Sequence, residues 1–147
     1  MYQLLENSQK KTPSPLSENA RRFISEGSYG NVYSYGKGKV IKEMIFYSEN
    51  NIREVIFLKS FDVPFIPRVH EIFIDTVKDT LKIVEDDCGK SLEKYANTLS
   101  YLERIRKIPI LLVQIGRILM WFKKHKLAHM DIKPGNFCMS DDDYLSI

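Results

Sequence analysis

A carboxylate, an ammonium and an amide stand close together in the segment His129-Met130-Asp131-Ile132-Lys133-Pro134-Gly135-Asn136. Asp131 could accept or orient the proton of an incoming hydroxyl group. Lys133 could neutralise charge on a moving phosphoryl group, and Asn136 could supply a metal ligand. This combination favours phosphoryl-transfer chemistry. The structural alternative is the end of a helix followed by a polar loop that contains a proline.

Two glycines occur in a second segment, Ser25-Glu26-Gly27-Ser28-Tyr29-Gly30-Asn31-Val32, which lies between two strand-like runs. Without a Cβ atom in the way, the backbone can approach phosphate oxygens and donate its amides to them. A plain β-hairpin is the alternative. Lys42 follows Val40 and Ile41 in the next strand-like run. It is either a solvent-facing charge or the cation at the floor of a phosphate site.

The elements that must position these groups read as strands first and helices later. Periodicity predicts short strands with glycine turns from Phe23 to Met44, a helix over 51–60, strands over 69–75 and 81–85, a short helix over 91–96, a long amphipathic helix over 104–126, and two short strands around an Asp141-Asp142-Asp143 turn. Strands followed by helices favour an α+β fold.

Composition sets the broad class. The chain has 147 residues, 44% of them hydrophobic and 28% charged, which is typical of one globular domain. A net charge of +3 predicts a solvated surface and no nucleic-acid partner. The two cysteines, Cys88 and Cys138, form no CxxC pair, so neither a zinc site nor a disulfide framework is expected.

No membrane or export signal is expected either. The most apolar stretch, 108–122, is interrupted by Gln114 and Arg117 and is too short to span a bilayer. We predict that it is a buried amphipathic helix. Residues 1–20 read as a polar N-terminal arm without the apolar core of a signal peptide. The expected location is intracellular and cytoplasmic.

Taken in order, these segments resemble the eukaryotic-type protein kinase domain over about residues 23 to 147. The segment 129–136 is similar to the catalytic loop His-Arg-Asp-x-Lys-Pro-x-Asn. The other matches are Gly27 and Gly30 with the second and third glycines of the phosphate-covering loop, Val32 with the valine that contacts adenine, Val40-Ile41-Lys42 with the end of Val-Ala-Ile-Lys, 53–58 with the αC helix, and 81–92 with the fifth strand and hinge.

The resemblance implies a kinase-like fold over residues 21–147. An antiparallel N-lobe sheet with an αC helix would occupy about 21–88, and a partial helical C-lobe 89–147. It also implies a protein kinase that transfers the γ-phosphate of ATP to a protein substrate, with ATP and Mg²⁺ as cofactors. Lysine at position 133 is typical of the serine/threonine members.

The same resemblance assigns roles to individual residues. Asp131 and Lys133 would be catalytic, Asn136 would be a metal ligand, and Lys42 would pair with Glu54. The implied ATP-binding residues are Ile24, Ser25, Gly27, Gly30, Val32, Val40, Lys42, Glu54, Asp86 and Cys88.

Several positions depart from the family pattern. Ser25 replaces the first glycine of the phosphate loop, and Met130 replaces the arginine that reads a phosphorylated activation loop. Glu85 falls at the gatekeeper position, which is usually apolar, so either the register slips by one residue or the pocket is unusual. Only 12 residues separate Lys42 from Glu54, which leaves Glu49 as an alternative partner of the lysine.

The last four residues, 144–147, resemble the strand that leads into Asp-Phe-Gly, whose aspartate binds magnesium. We therefore expect the 147 residues alone to be a poor kinase, because one neutral amide is a weak magnesium ligand. The turn of Asp141, Asp142 and Asp143 is expected to face solvent and not to compensate.

Two hypotheses follow from this. The chain is part of a serine/threonine kinase that phosphorylates a protein, or it is a kinase-like pseudoenzyme that binds nucleotide, or docks on a partner kinase, without transferring phosphate. A remaining C-lobe segment is a further expected partner, because it would cover the apolar helix over 108–122.

Overall fold

The computed structural model describes residues 21–27, 30–36, 38–45, 49–75 and 77–147, so the N-terminal arm predicted over 1–20 lies outside the described residues. The chain divides into two compact units. The first contains the described residues up to Val63 together with Pro67–Asp87, and the second contains Pro64–Ile66 together with Cys88–Ile147.

The first unit is built on an antiparallel sheet of five strands. They are β1 (Phe23–Gly27), β2 (Gly30–Ser34), β3 (Lys39–Ile45), β4 (Val69–Asp75) and β5 (Thr80–Asp86), in the spatial order β1-β2-β3-β5-β4. The predicted strands are confirmed, and β3 and β5 form the centre of the sheet. Most of their apolar side chains are buried, on both faces of the sheet, as expected for central strands rich in β-branched residues, whereas Ile45 at the end of β3 is exposed.

Helix α1 (Glu49–Ser60) covers one face of this sheet. Val55 from the helix joins Met44, Ile72, Leu81 and Ile83 in one buried cluster. Side chains of a strand alternate between faces, so residues two positions apart along β3 or β5 share a face. A separate cluster of Ile41, Phe73 and Val84 therefore lies on the opposite face, with Tyr33 and Tyr35 packed against it.

The second unit is mainly helical. Its elements are β6 (Lys90–Ser91), α2 (Leu92–Thr98), α3 (Tyr101–Lys124), a 3₁₀ turn (Pro134–Asn136), β7 (Cys138–Met139) and β8 (Leu145–Ser146). The three short strands form an antiparallel sheet in the order β6-β7-β8. The α+β class and the order of the elements are confirmed.

The long helix α3 begins three residues earlier than the sequence predicts. Ser100 forms a capping box with Glu103: its hydroxyl accepts from the Glu103 amide, and the Glu103 carboxylate accepts from the Ser100 amide at 2.8 Å. These bonds satisfy two amides that would otherwise lack partners at a helix start. The Ser100 hydroxyl also donates to the Glu103 carboxylate, and this bond, together with the one from the Ser100 amide, lowers the pKa of Glu103. The cap therefore fixes the start of α3.

The prediction that this helix is buried is wrong for most of its length. Ile118 and Phe122 near its C-terminal end are buried, whereas Ile108, Leu112 and Leu119 are exposed. Within the described residues, the packing of α3 concentrates near that end, where Trp121 meets Phe65 with ring centroids 5.4 Å apart. No helix in the described part of the chain combines the length and apolarity that a membrane crossing requires.

Candidate active site

Lys42 and Glu54 form an ion pair in the first unit, with Nζ of the lysine 2.5 Å from Oε1 of the glutamate. Both side chains are partly buried. The short interval between them suffices because α1 begins soon after β3 ends. The buried Asn51 holds that junction by donating from its side chain to the carbonyl of Ile45 at 2.8 Å.

Glu49, the alternative partner of Lys42, lies in the first turn of α1 and pairs with Arg53 at 2.6 Å. This is an exposed pair of residues four positions apart on one helix, a spacing that places side chains side by side. The sequence allowed either glutamate as the partner of Lys42, and in the structure Glu54 is the one that contacts the lysine.

The glycine segment forms the hairpin between β1 and β2, with Gly27 opposite Gly30. The backbone φ of Gly30 is 148°, and a Cβ atom there would run into the carbonyl oxygen of Glu43 on β3. Close approach of the neighbouring strand is therefore a sufficient reason for glycine at position 30. The phosphate-binding role of the hairpin stays a prediction, and Ser28 and Tyr29 lie outside the described residues.

Strand register aligns several predicted ATP-binding residues with Lys42. Ser25 lies opposite Val32, which in turn lies opposite Lys42. Val40 is two positions before Lys42 on β3, so its side chain shares the face of the lysine. The neighbouring Ile24 is exposed on β1. The register therefore brings part of the predicted nucleotide site onto one face of the sheet.

Asp86 and Cys88 have other surroundings. One carboxylate oxygen of Asp86 lies 2.7 Å from Nε2 of His70, and the other accepts from the amide of Arg68 at 3.4 Å. Asp86 therefore links the end of β5 to the start of β4. Cys88 is half-buried and belongs to the second unit.

Glu85, the departure at the gatekeeper position, lies at the end of β5 opposite Val40. Its side chain therefore shares the face of Lys42. Burial raises the pKa of Glu85 to about 7, while attraction to Lys42 lowers this pKa and repulsion from Glu54 raises it. The carboxyl group is thus part of the surroundings of the Lys42–Glu54 pair.

In the second unit, the structure brings Asp131, Lys133 and Asn136 together. The Asn136 amide nitrogen donates to the backbone carbonyl of Asp131 at 2.7 Å and to its Oδ2 at 2.8 Å. Nζ of Lys133 lies 2.8 Å from the same Oδ2. The hydrogen bonds from Lys133 and Asn136 lower the pKa of Asp131, so this carboxylate is ionised at neutral pH.

The residues around this loop hold its shape. Pro134 opens the 3₁₀ turn, where its fixed φ is favourable, and the amide of Asn136 closes it on the carbonyl of Lys133 at 3.0 Å. The ring of His129 packs edge-on against Phe122, with centroids 5.9 Å apart. Met130 has a positive φ of 66° and is 91% exposed, so it makes little contact within the described residues.

Asn136 fits the role of a metal ligand in part. Its amide nitrogen binds Asp131, which leaves its oxygen as the atom that could meet a cation such as Mg²⁺, a metal that prefers oxygen ligands. Among the described residues, no group of three or more His, Cys, Asp or Glu side chains could hold a metal ion.

The expectation that all three aspartates of the 141–143 turn face solvent is wrong for Asp143. Its carboxylate accepts from the hydroxyl of Tyr95 at 2.6 Å and forms an ion pair with Lys107. Its backbone carbonyl accepts from Gln114 at 3.0 Å. Asp141 and Asp142 are exposed as predicted.

Asp143 thus anchors the β7–β8 turn to helices α2 and α3. The bonds from Lys107 and Tyr95 lower its pKa. Sequence reasoning missed this cluster because the partners of Asp143 lie 29 to 48 residues before it along the chain and carry no motif. An aspartate with a positive φ, here 59°, is compatible with the turn that the sequence predicted at this place.

The curated proteins that are similar to the chain include two kinases from Plasmodium. Calcium-dependent protein kinase 5 of Plasmodium berghei (strain Anka) is 31% identical over 139 residues, which cover 84% of the chain and 24% of that kinase. Calcium-dependent protein kinase 5 of Plasmodium falciparum (isolate 3D7) is 29% identical over 139 residues, which cover 88% of the chain and 24% of that kinase. No family model matches the chain.

The chain spans about a quarter of the length of these relatives. It is therefore similar in sequence to a segment of a protein kinase. The five-stranded antiparallel sheet with its covering helix is compatible with the N-lobe of such a kinase.

Proposed function

We propose that this chain is the nucleotide-binding and catalytic-loop part of a protein serine/threonine kinase, with an N-lobe over about 21–88 and a partial C-lobe over 89–147. The observation that carries the proposal is the ion pair of Lys42 and Glu54 at 2.5 Å, between a central strand and the helix that covers it. In protein kinases a strand lysine paired with a helix glutamate is needed for phosphate positioning.

The arrangement of the second unit supports the same chemistry. Asp131 is ionised, so it can accept the proton of a serine or threonine hydroxyl or orient that hydroxyl. Lys133 lies beside it and can stabilise negative charge on the transferred phosphoryl group. Asn136 holds the aspartate and could contribute an oxygen to Mg²⁺, which would neutralise charge on the phosphates when bound.

The similarity to a segment of two calcium-dependent protein kinases supports a kinase-related function at a coarse level. Serine/threonine specificity rests on Lys133 alone, as the family pattern implies. The choice of serine or threonine as the acceptor is therefore the part of the proposal that depends on a single residue.

The first test is ATP binding by the chain and by Lys42→Met. Loss of the ammonium should weaken ATP binding by tenfold or more, in the range of about 1.5–3 kcal/mol for hydrogen bonds to charged groups. Lys78→Met removes the same charge from an exposed turn between β4 and β5 and is the matched control. Equal binding by both variants would contradict the role of Lys42.

The second test is phosphotransfer from labelled ATP to three otherwise identical peptides with serine, threonine or tyrosine as the acceptor. The expected result is slow labelling that is confined to the serine and threonine peptides, because the 147 residues alone are expected to be a poor kinase. Labelling of the tyrosine peptide would contradict the specificity. ATP binding without transfer to any peptide would favour the kinase-like pseudoenzyme, and no ATP binding would contradict both hypotheses.

A further inference from the structure

Glu85 and Lys42 project from the same face of the sheet on adjacent strands. Glu85 lies opposite Val40 of β3, and Lys42 is two positions further along that strand. On the other side of β5, Glu85 lies opposite Val69 of β4. The valines on both sides make its surroundings apolar, and an ionised carboxylate is costly in such surroundings.

Two carboxylates therefore interact electrostatically with one ammonium, and only one of them is in contact with it. Glu54 on α1 already contacts Nζ of Lys42 at 2.5 Å. The charged groups that act on Glu85 are Lys42 from β3, Glu54 from α1 and Asp86 from its own strand, whereas its partner on β4 is an uncharged valine. With both glutamates ionised, the cluster of Glu85, Lys42 and Glu54 carries one net negative charge.

We propose that Glu85 is a positioning residue for Lys42: its ionised carboxylate competes with phosphate oxygens for the lysine ammonium, and its protonated form does not. The inference rests on the proposed function, because it takes the polyphosphate of ATP as the anion at Lys42. A bound polyphosphate adds negative charge near Glu85 and favours its protonated form. Binding and protonation therefore strengthen each other, as linkage requires.

The consequence is nucleotide affinity that depends on pH in the neutral range. Burial raises the pKa of Glu85 to about 7, so its charge changes there and not near the ordinary value of 4.5. ATP binding should strengthen as the pH falls through that range and weaken as it rises. An apolar residue at the same position would confer no such dependence.

The test measures the dissociation constant of ATP, without added metal, from about pH 6 to about pH 8 for the chain, Glu85→Gln and Glu71→Gln. Glu71 is an exposed glutamate on β4 and serves as the matched control. The γ-phosphate of ATP titrates in this range for all three proteins, so only differences between them report on Glu85. Over this range the dissociation constant should rise about fivefold more for the chain than for Glu85→Gln, if ATP raises the pKa of Glu85 from about 7 to about 8. Glu71→Gln should follow the unsubstituted chain.

A second measurement needs no ligand. Carboxyl NMR of the chain, with the Glu85 signal assigned from Glu85→Gln, should show a titration midpoint at about 7. Lys42→Met should raise that midpoint, and added ATP should raise it in the unsubstituted chain. A midpoint near 4.5, or one unchanged in Lys42→Met, would overturn the inference.

The binding results separate this inference from the function on which it rests. ATP binding with the same pH dependence in the chain and in Glu85→Gln overturns the inference and leaves the proposed function standing. Absence of ATP binding at every pH overturns both.

Discussion

One amide nitrogen of Asn136 donates to both the backbone carbonyl and the carboxylate of Asp131, at 2.7 and 2.8 Å. The two residues are five positions apart, and the 3₁₀ turn that begins at Pro134 brings them together. The contact fixes the orientation of the aspartate in a loop that is otherwise largely exposed. A carboxylate held in this way is suited to orient a hydroxyl group without losing its charge.

The first prediction concerns Asp131→Asn. Under the proposed function, this change should slow phosphotransfer by about a hundredfold or more, because proton acceptance acts in the transition state. The ATP dissociation constant should change little, since the loss is confined to the transition state. Single-turnover transfer and equilibrium binding measure the two quantities. Asp142→Asn, at an exposed position of the β7–β8 turn, is the control, and equal losses of binding and transfer in Asp131→Asn would indicate a structural role for the loop.

The second prediction concerns the stability of the first unit, which contains the five-stranded sheet, at different pH values. The folded-state pKa of Glu85 is raised to about 7 from 4.5, so the native state retains a proton that the unfolded chain has lost. The contribution of Glu85 to stability is therefore fully present below pH 4.5 and is lost as the pH rises through 7.

Glu85→Gln should remove this pH dependence. The free energy of unfolding of the variant, relative to the unsubstituted chain, should rise by up to about 3 kcal/mol between mildly acidic and mildly alkaline pH, at about 1.4 kcal/mol for each unit of pKa shift. Urea unfolding followed by far-UV circular dichroism at the two pH values measures the change. If the free energy of unfolding changed with pH in the same way for both proteins, the pKa of Glu85 would not be raised in the folded state.

The third prediction concerns Asp143→Ala in the second unit. Loss of the bonds to Tyr95 and Lys107 should release the β7–β8 turn from the helices and lower the melting temperature. The fluorescence of Trp121, on helix α3 of the same unit, follows that transition. Asp141→Ala removes an exposed aspartate from the same turn and should have little effect.

The effect of Asp143 should also depend on pH. Its pKa is lowered from 3.8, so its contribution is present above pH 3.8 and is lost as the pH falls through the lowered value. The difference in melting temperature between the unsubstituted chain and Asp143→Ala should therefore shrink in strong acid. A difference that stays constant would mean that Asp143 stabilises the turn through its backbone conformation alone.

The fourth prediction compares Gly30→Ala with Gly36→Ala. Both glycines have a positive φ, 148° and 74°, so both substitutions introduce backbone strain of about 1–3 kcal/mol. At Gly30 the added Cβ atom would also meet the carbonyl of Glu43, whereas at Gly36 it would meet nothing. In urea unfolding, Gly30→Ala should therefore destabilise the first unit more than Gly36→Ala does. Equal losses would contradict the close approach of β3 at this point.

Much of the local structure could be predicted because its signals are local. Alternating apolar residues indicated the central strands, and helical spacing indicated α1 and α3. The first residue of a helix was less predictable. Helix α3 begins at Tyr101 because Ser100 and Glu103 cap each other. The periodicity of apolar residues gives no sign of this polar pair. The burial of α3 was predicted wrongly, since an apolar face shows only that a helix can pack, not what lies against it.

The sequence by itself determined the order and type of the elements, the similarity to a kinase segment, and the short loop in which Asp131, Lys133 and Asn136 meet. These features depend on residues within a few positions of one another, so the local chain is sufficient to define them. Only the tertiary structure decided that Lys42 contacts Glu54 and not Glu49, because that choice depends on where α1 starts after β3.

The tertiary structure also decided that Asp143 is anchored and that Glu85 shares the face of Lys42. Asp143 and its partner Tyr95 are 48 residues apart, and the pairing of β3 with β5 places Glu85 on the same face of the sheet as Lys42. Contacts of this kind arise from strand register and helix packing, which juxtapose residues without any pattern between them in the sequence. The charge that each carboxyl group carries follows from those neighbours and not from the residue type alone.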